Sequence, residues 1–375
     1  MAGFLDQMAA GSRARADEAA AAEPLAALRS RCADLPPPLP LARAGGFDLI
    51  AELKLRSPAL GELGSAQDDL AGRVTGYAQA GAAAVSVLTE PSRFSGSLEH
   101  LRAVAATLAP LGVPAMRKDF LVDPYQLYEA RAAGAGGALL IVRMLSRAAL
   151  GEMLDCAREL GLFVLVEAFD EEDIAAAVDT LDGTLAGAGA GPGGSPVARS
   201  APLRSASQTR SLRGTPPSAP APEPSRHDAP RRGEDDGEPP IVRGLPGADR
   251  ATDREGGART TGGSLRRDYP AFGASKDPPG VESPAMHATA DVLLGVNSRD
   301  LQTLAVVPER LEQLAPRLPR EYPRVAESGL TTPDDAARMV RAGYDMALVG
   351  GALMSAPDPG ALVRAMLAAG RAAAA

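Results

Sequence analysis

The 375-residue sequence contains no tryptophan, and aromatic residues make up only 3% of it. Cysteine is nearly absent as well, because Cys32 and Cys156 are the only two. Two thiols provide neither a disulfide framework nor a zinc site, and they suit a reducing, cytoplasmic compartment. With so few aromatic residues, the 45% of hydrophobic residues must build a core mainly from Ala, Val, Leu and Ile.

Positive net charge and long apolar runs are also missing. The net charge of -8 argues against a nucleic-acid-binding protein, whose surface is usually basic. The longest apolar runs, such as residues 138–142, are far too short to cross a bilayer. The start of the chain lacks the basic-then-apolar pattern of a signal peptide. We therefore expect a protein that binds neither nucleic acid nor a membrane.

Lysine is rare among the positively charged residues. Of 39 Lys and Arg residues, only Lys54, Lys118 and Lys276 are lysines. Arginine cannot release its proton in a protein, whereas a desolvated lysine can. Lysines that occur despite such a strong preference for arginine are therefore candidates for proton transfer, with chance survival as the alternative.

Short apolar segments alternate with amphipathic helical segments over most of the chain. This pattern is typical of parallel strands joined by crossover helices. Eight strand–helix pairs predict an α/β fold of the (βα)8 TIM-barrel type, with a doubly wound open sheet as the alternative. The predicted strands are residues 47–53, 84–88, 113–116, 138–142, 163–166, 291–296, 323–326 and 346–349.

Composition divides the chain into four parts. Residues 1–45 form an Ala-rich N-terminal helical extension, and residues 46–183 and 287–375 form the two parts of the barrel. Residues 184–286 are rich in Gly, Pro, Ser, Arg and Asp, which predicts a disordered, low-complexity insertion. The insertion follows the fifth helix and precedes the sixth strand. We expect it on the barrel face opposite the active site, where a long loop costs little free energy.

Charged residues stand at the ends of several predicted strands, where barrel enzymes carry their catalytic groups. Glu52 and Lys54 are two residues apart at the first strand, so they share a face. Lys118 follows the third strand, and Glu167 follows the fifth. We expect a desolvated barrel mouth to shift the pKa values of such Lys and Glu residues toward the working pH. The pattern indicates acid–base chemistry, with structural ion pairs as the alternative.

Small residues follow the last two strands. Ser328-Gly329 and Gly350-Gly351 stand at the position where barrels usually bind phosphate. Glycine allows backbone N–H groups to approach a ligand closely. These residues predict a phosphate site, with tight-turn glycines as the alternative.

Several of these segments resemble the indole-3-glycerol-phosphate synthase family. The most specific is residues 116–126, which read MRKDFLVDPYQ. The resemblance covers essentially everything except the insertion. The other segments that carry it are residues 50–58, 85–90, 139–142, 165–167, 295–301 and 327–330.

The resemblance implies a carboxy-lyase of tryptophan biosynthesis. Its reaction converts 1-(2-carboxyphenylamino)-1-deoxy-D-ribulose 5-phosphate into indole-3-glycerol phosphate, carbon dioxide and water, without a cofactor or a metal. Lys118 would be the general acid of ring closure, and Glu167 the second acid–base group, used in dehydration. Lys54, oriented by Glu52, would hold the substrate carboxylate. Weak association with other tryptophan-pathway enzymes is also expected.

The resemblance also implies binding residues. The expected substrate-binding residues are Ser57, Phe94, Phe120, Asn297, Arg299 and Glu327. The expected phosphate-binding residues are Ser328, Gly329, Gly350 and Gly351. The sequence departs from the family at Gly350-Gly351-Ala352, where Gly-Glu-Ser or Gly-Ser-Ser is usual. A hydroxyl contact to phosphate is therefore missing here, and binding would depend on backbone donors.

Two other functions compete with this interpretation. A phosphoribosylanthranilate isomerase would need a Cys/Asp acid–base pair, but neither Cys32 nor Cys156 stands at a predicted strand end. A barrel that serves only as an interaction scaffold would be expected to have lost Lys118 or Glu167, and both are present.

Overall fold

The computed structural model describes residues 3–58, 61–64, 69–188, 292–300, 303 and 305–375. Almost all of the insertion predicted at residues 184–286 lies outside these residues. Its first five positions, residues 184–188, belong to a helix that begins at Glu171.

Eight parallel strands, β1 to β8, close into a barrel in chain order, with β8 paired to β1. This confirms the (βα)8 prediction and excludes the open sheet. The strands are buried along nearly their whole length because helices cover the outer face and side chains fill the interior. The strands are β1 Asp48–Leu53, β2 Ala84–Leu88, β3 Ala115–Lys118, β4 Gly137–Ile141, β5 Phe163–Ala168, β6 Val292–Asn297, β7 Arg324–Glu327 and β8 Met346–Val349.

Among the described residues, the first two helices lie in the N-terminal extension. Side-chain oxygens of Ser97, Ser146, Thr332 and Asp358 cap later helices by accepting backbone N–H bonds in the first turn. No helix within these ranges is both long and apolar enough to span a bilayer. The helices are α1 Phe4–Ala22, α2 Leu25–Ala33, α3 Leu70–Gln79, α4 Pro91–Phe94, α5 Leu98–Leu108, α6 Tyr125–Ala132, α7 Arg147–Glu159, α8 Glu171–Ala188, α9 Glu309–Leu314, α10 Pro333–Ala342, α11 Gly351–Ser355 and α12 Pro359–Ala374.

Buried side chains form an interior cluster and an outer cluster. Along β1, Ile50 belongs to the interior cluster, whereas Leu49 and Ala51 pack outward against the helices. This alternation follows from the two-residue period of a strand. The strands' contributions to the interior cluster are Ile50, Ala84, Met116, Leu139, Ile141, Phe163, Leu165, Leu293, Val325, Met346 and Leu348.

Polar contacts fix α1 to the segment that follows β3. Arg15 Nη2 donates to Asp119 Oδ1 at 2.8 Å, and Gln126 Nε2 donates to Ser12 Oγ at 2.8 Å. The Tyr125 hydroxyl can donate its single proton to either of two backbone carbonyl oxygens near the end of α1, which lie 3.0 and 2.9 Å away. The N-terminal extension is therefore held beside the end of β3.

Candidate active site

A cavity of about 750 Å³ opens at the carboxyl ends of the barrel strands. Its volume lies within the usual range for small-molecule sites. Every site residue predicted from the sequence lines it. These residues are Glu52, Lys54, Ser57, Phe94, Lys118, Phe120, Glu167, Asn297, Arg299, Glu327, Ser328, Gly329, Gly350 and Gly351.

The period of the strands explains why four charged side chains reach this cavity. Each follows a residue of the interior cluster by two positions, so it lies on the same inward face. For β3 the predicted range of 113–116 is wrong, because Pro114 has no N–H for the ladder and the strand instead ends at Lys118. The four pairs are Ile50–Glu52, Met116–Lys118, Leu165–Glu167 and Val325–Glu327.

The first ion pair joins Lys54 and Glu52. Lys54 Nζ donates to Glu52 Oε1 at 2.6 Å, and their side chains are only 12% and 5% exposed. Although burial opposes it, the charges of Lys54 and Lys118 hold the pKa of Glu52 below its usual value. A Cβ atom at Gly350 would lie 2.2 Å from Glu52 Oε1, so glycine at this position makes room for the carboxylate.

A second charged cluster places two carboxyl groups on one ammonium group. Lys118 Nζ lies 3.1 Å from Glu167 Oε2 and 3.0 Å from Glu327 Oε2. Burial alone would lower the pKa of Lys118, but the nearby carboxylates outweigh it and raise that pKa. The expected shift toward the working pH is therefore wrong for Lys118. The ammonium form is the resting form, so Lys118 has a proton to donate.

Glu327 shifts in the opposite direction to Glu52. Burial, together with the neighbouring Glu167, raises the pKa of Glu327 well above its usual value, against the opposing charge of Lys118. A Cβ atom at Gly295 would lie 2.3 Å from Glu327 Oε1, so a second glycine accommodates a carboxyl group. The expected shift toward the working pH is therefore wrong for Glu52, whereas the pKa of Glu327 shifts in that direction.

Aromatic rings form one wall of the cavity. The ring of Phe120 lies 6.2 Å from that of Phe94 and 5.9 Å from that of Phe4, the latter in an edge-to-face arrangement. Sequence reasoning missed Phe4, which belongs to the N-terminal extension. Its one signal was that Phe4 is the only aromatic residue among residues 1–45.

The far end of the cavity is formed after β7 and β8. Ser328 and Gly329 both have positive φ angles, of 68° and 80°, and the Ser328 carbonyl accepts a bond from Ser298 Oγ at 3.1 Å. A non-glycine residue in this conformation is uncommon and is enriched at functional sites. Thr331 and Ser355 also line the cavity, although sequence reasoning did not identify them.

Other chemistries find less support here. Cys32 and Cys156 are buried in the outer cluster and do not line the cavity, so neither supplies the thiol that an isomerase would need. Burial raises the pKa of the Cys156 thiol to about 12. Among the described residues, no group of His, Cys, Asp and Glu side chains is arranged to hold a metal ion.

Comparison with known proteins agrees with this geometry. The family model "Indole-3-glycerol phosphate synthase" matches residues 5–189 and 282–366, which include every predicted site residue. An indole-3-glycerol phosphate synthase from Nocardioides sp. is 34% identical over 96% of this chain and 97% of its own. Another, from Mycobacterium leprae, is 30% identical over 98% of this chain and 94% of its own. The chain therefore belongs to the indole-3-glycerol phosphate synthase family.

Proposed function

We propose that this chain converts 1-(2-carboxyphenylamino)-1-deoxy-D-ribulose 5-phosphate into indole-3-glycerol phosphate, carbon dioxide and water, a step of tryptophan biosynthesis. One observation carries the proposal: the buried ammonium group of Lys118, held by Glu167 and Glu327, faces the same cavity as the Lys54–Glu52 pair. Membership of the family supports the choice of substrate.

Ring closure needs a proton at the ketone oxygen of the substrate. We assign its delivery to Lys118, which is protonated at rest, while the carboxylate-bearing ring carbon attacks the ketone carbon. Lys54, oriented by Glu52, would bind the substrate carboxylate through a charge-assisted hydrogen bond. Loss of carbon dioxide then returns the electron pair of the broken C–C bond to the ring.

Dehydration needs a second acid–base group beside the same oxygen. Glu167 is suited to this role because its carboxyl group contacts Lys118 Nζ and is only 3% exposed. In a site shielded from water, differences in burial and in neighbouring charge give adjacent titratable groups different pKa values. One group can then act as an acid while its neighbour acts as a base.

The remaining lining residues are assigned to binding. Phe94 and Phe120 would pack against the anthranilate ring, and the backbone at Ser328, Gly329, Gly350 and Gly351 would hold the phosphate. Burial lowers the pKa of Arg299, but a guanidinium stays charged in a protein and can bind an anionic substrate. Ser57, Asn297, Arg299 and Glu327 would position the ribulose chain.

The direct test is a fluorescence assay for indole formation. The purified chain, incubated with the synthetic carboxyphenylamino substrate, is expected to produce indole fluorescence together with one carbon dioxide per product. A folded protein that binds the substrate without forming product would contradict the proposal.

Replacing Phe4 tests the contribution of the N-terminal extension. Phe4→Ala removes the edge-to-face contact with Phe120, and such aromatic contacts contribute about 0.5–1.5 kcal/mol beyond the area that they bury. We expect KM to rise about 2- to 10-fold with a smaller change in kcat, measured by steady-state fluorescence. Phe4→Leu, which keeps apolar bulk, should recover part of the loss. An unchanged KM would show that Phe4 does not contribute to substrate binding.

Removing residues 190–281, which the family model leaves unmatched, tests where the insertion enters the barrel. The described elements on either side are α8 and β6, and in a (βα)8 barrel a helix ends and the next strand begins at the face opposite the active site. We expect a short Gly/Ser linker in place of this segment to leave kcat/KM within about threefold, since loop closure depends only weakly on length. A loss of kcat/KM beyond tenfold would assign the segment a part in the activity.

The cellular setting is a further expectation. The two cysteines, both buried and free, support a cytoplasmic location. Weak association with other tryptophan-pathway enzymes stays a prediction.

A further inference from the structure

The Lys118 cluster, which consists of Lys118, Glu167 and Glu327, contains one ammonium group and two carboxyl groups. The three side chains are 14%, 3% and 1% exposed. If both carboxyls were ionised, the cluster would carry one uncompensated negative charge away from water. Burying an unpaired charge is costly, and a group in that position usually takes up a proton instead. The composition of the cluster therefore favours one proton on the two carboxyls.

The surroundings of Glu327 indicate where that proton is held. Its Oε1 atom is buried and has no hydrogen-bond partner among the residues that the structure describes. Because the atom is out of contact with solvent, a bulk water molecule cannot reach it. A carboxylate oxygen without a partner costs far more free energy than the oxygen of a neutral carboxyl group. Glu327 is thus better suited to the protonated form than Glu167.

Among the ion pairs of the described residues, Lys118 is the only cation paired with Glu327. The Lys54 ammonium is already bonded to Glu52 at 2.6 Å. Burial and Glu167 raise the pKa of Glu327, in the direction that the geometry suggests. The other charged side chains of the described residues that line the same cavity are Glu52 at the end of β1, Lys54 just after it, Asp119 after β3 and Arg299 after β6.

The proposed reaction consumes one proton in each turnover, and the proton held by the two carboxyls can supply it. The ketone oxygen of the substrate leaves as water, so it must receive two protons. One proton is lost from the carbon beside the ring nitrogen when the indole double bond forms. Loss of carbon dioxide from a carboxylate leaves a net uptake of one proton per turnover. Lys118 alone can give the first proton, but a second donor must stand ready.

We propose that Glu167 and Glu327 share one proton in the resting site, and that this proton leaves with the water in the dehydration step. The inference rests on the proposed function. In ring closure a C–C bond forms, and the ketone oxygen takes a proton from Lys118. In dehydration the C–O bond breaks with its electron pair on oxygen, which takes the shared proton from Glu167. The C–H electron pair forms the double bond, and its proton returns to the neutral Lys118 amine. A proton from solvent then restores the carboxyl pair after the products leave. Glu327 acts through Glu167 as a positioning residue that keeps the proton available.

Glu327→Gln is the variant that tests the inference. It preserves the shape of the side chain but removes the carboxyl that shares the proton, so Glu167 pairs with Lys118 as a simple carboxylate. With substrate radiolabelled in its carboxyl group, rapid quench measures carbon dioxide release, and fluorescence measures indole formation in the same single turnover. We expect carbon dioxide release to continue while indole formation slows by about 10²-fold, the scale of a lost general acid. Glu52→Gln, an equally conservative change in the other ion pair, is the control, and its two signals should stay in step.

The alternatives give different results. If both signals slow together in Glu327→Gln, or if Glu52→Gln separates them as well, the shared proton is not the one used in dehydration. If the wild-type chain releases no carbon dioxide, the proposed function itself fails. Infrared difference spectroscopy gives a readout that does not depend on activity. Wild-type protein at neutral pH should show a protonated carboxyl band that Glu327→Gln lacks, and absence of that band in the wild type would overturn the inference.

Discussion

Lys118→Arg is expected to lower kcat by about 10²- to 10⁴-fold, the usual contribution of a general acid. The substitution keeps a positive charge that can bond Glu167 and Glu327, but a guanidinium does not give up its proton in a protein. Binding should change less than turnover, since the charge remains. The measurement is the rate of indole fluorescence at saturating substrate, with substrate affinity from equilibrium titration.

A matched control is available in the same chain. Lys276→Arg makes the identical chemical change at a lysine outside the segments matched by the family model, and it should leave kcat unchanged. Turnover of Lys118→Arg at the wild-type rate would refute the assignment of Lys118 as the acid.

Asp119→Ala is expected to reduce the free energy of unfolding by about 3–5 kcal/mol, as when one partner of a buried ion pair is removed. The Asp119 side chain is only 1% exposed, and it accepts bonds from Arg15 at 2.8 Å and from Thr89 Oγ1 at 2.8 Å. Arg117, which is 4% exposed, would lose one of its carboxylate partners. Urea denaturation monitored by circular dichroism measures the loss.

An exposed ion pair on the protein surface provides the control for Asp119→Ala. Asp155 is 51% exposed and pairs with Arg158 one helical turn away, so Asp155→Ala should cost less than about 1 kcal/mol. Because Asp119 also anchors Arg15 of the N-terminal extension, its loss should further lower activity. Equal effects of the two substitutions would contradict the buried network described here.

The barrel and the location of its mouth could be predicted because both are reflected in the alternation of inward- and outward-facing side chains along each strand. Glu52 stands two positions after Ile50, and Glu167 two positions after Leu165, so the alternation that builds the interior also aims these carboxylates. The rarity of lysine drew attention to Lys54 and Lys118 before any geometry was known.

Features that depend on contacts between distant segments could not be predicted in this way. Phe4 reaches Phe120 across more than a hundred residues of chain, through the docking of a helix whose own pattern gives no partner. The direction of the pKa shift of Lys118 depends on a balance between burial and three glutamates from different strands, and the order of residues along the chain does not determine that balance. Helix α8 extends to Ala188, past residue 184, where the amino-acid composition places the start of the insertion.

The absence of a side chain at two positions sets a limit on how this barrel can be redesigned. A single methyl group at Gly295 or Gly350 would stand within 2.3 Å of the carboxyl oxygen of Glu327 or Glu52, respectively. Libraries that randomise the barrel mouth to seek new substrates should therefore hold these two codons fixed. Diversity is better placed at Thr331 and Ser355, which border the same cavity without supporting either acid.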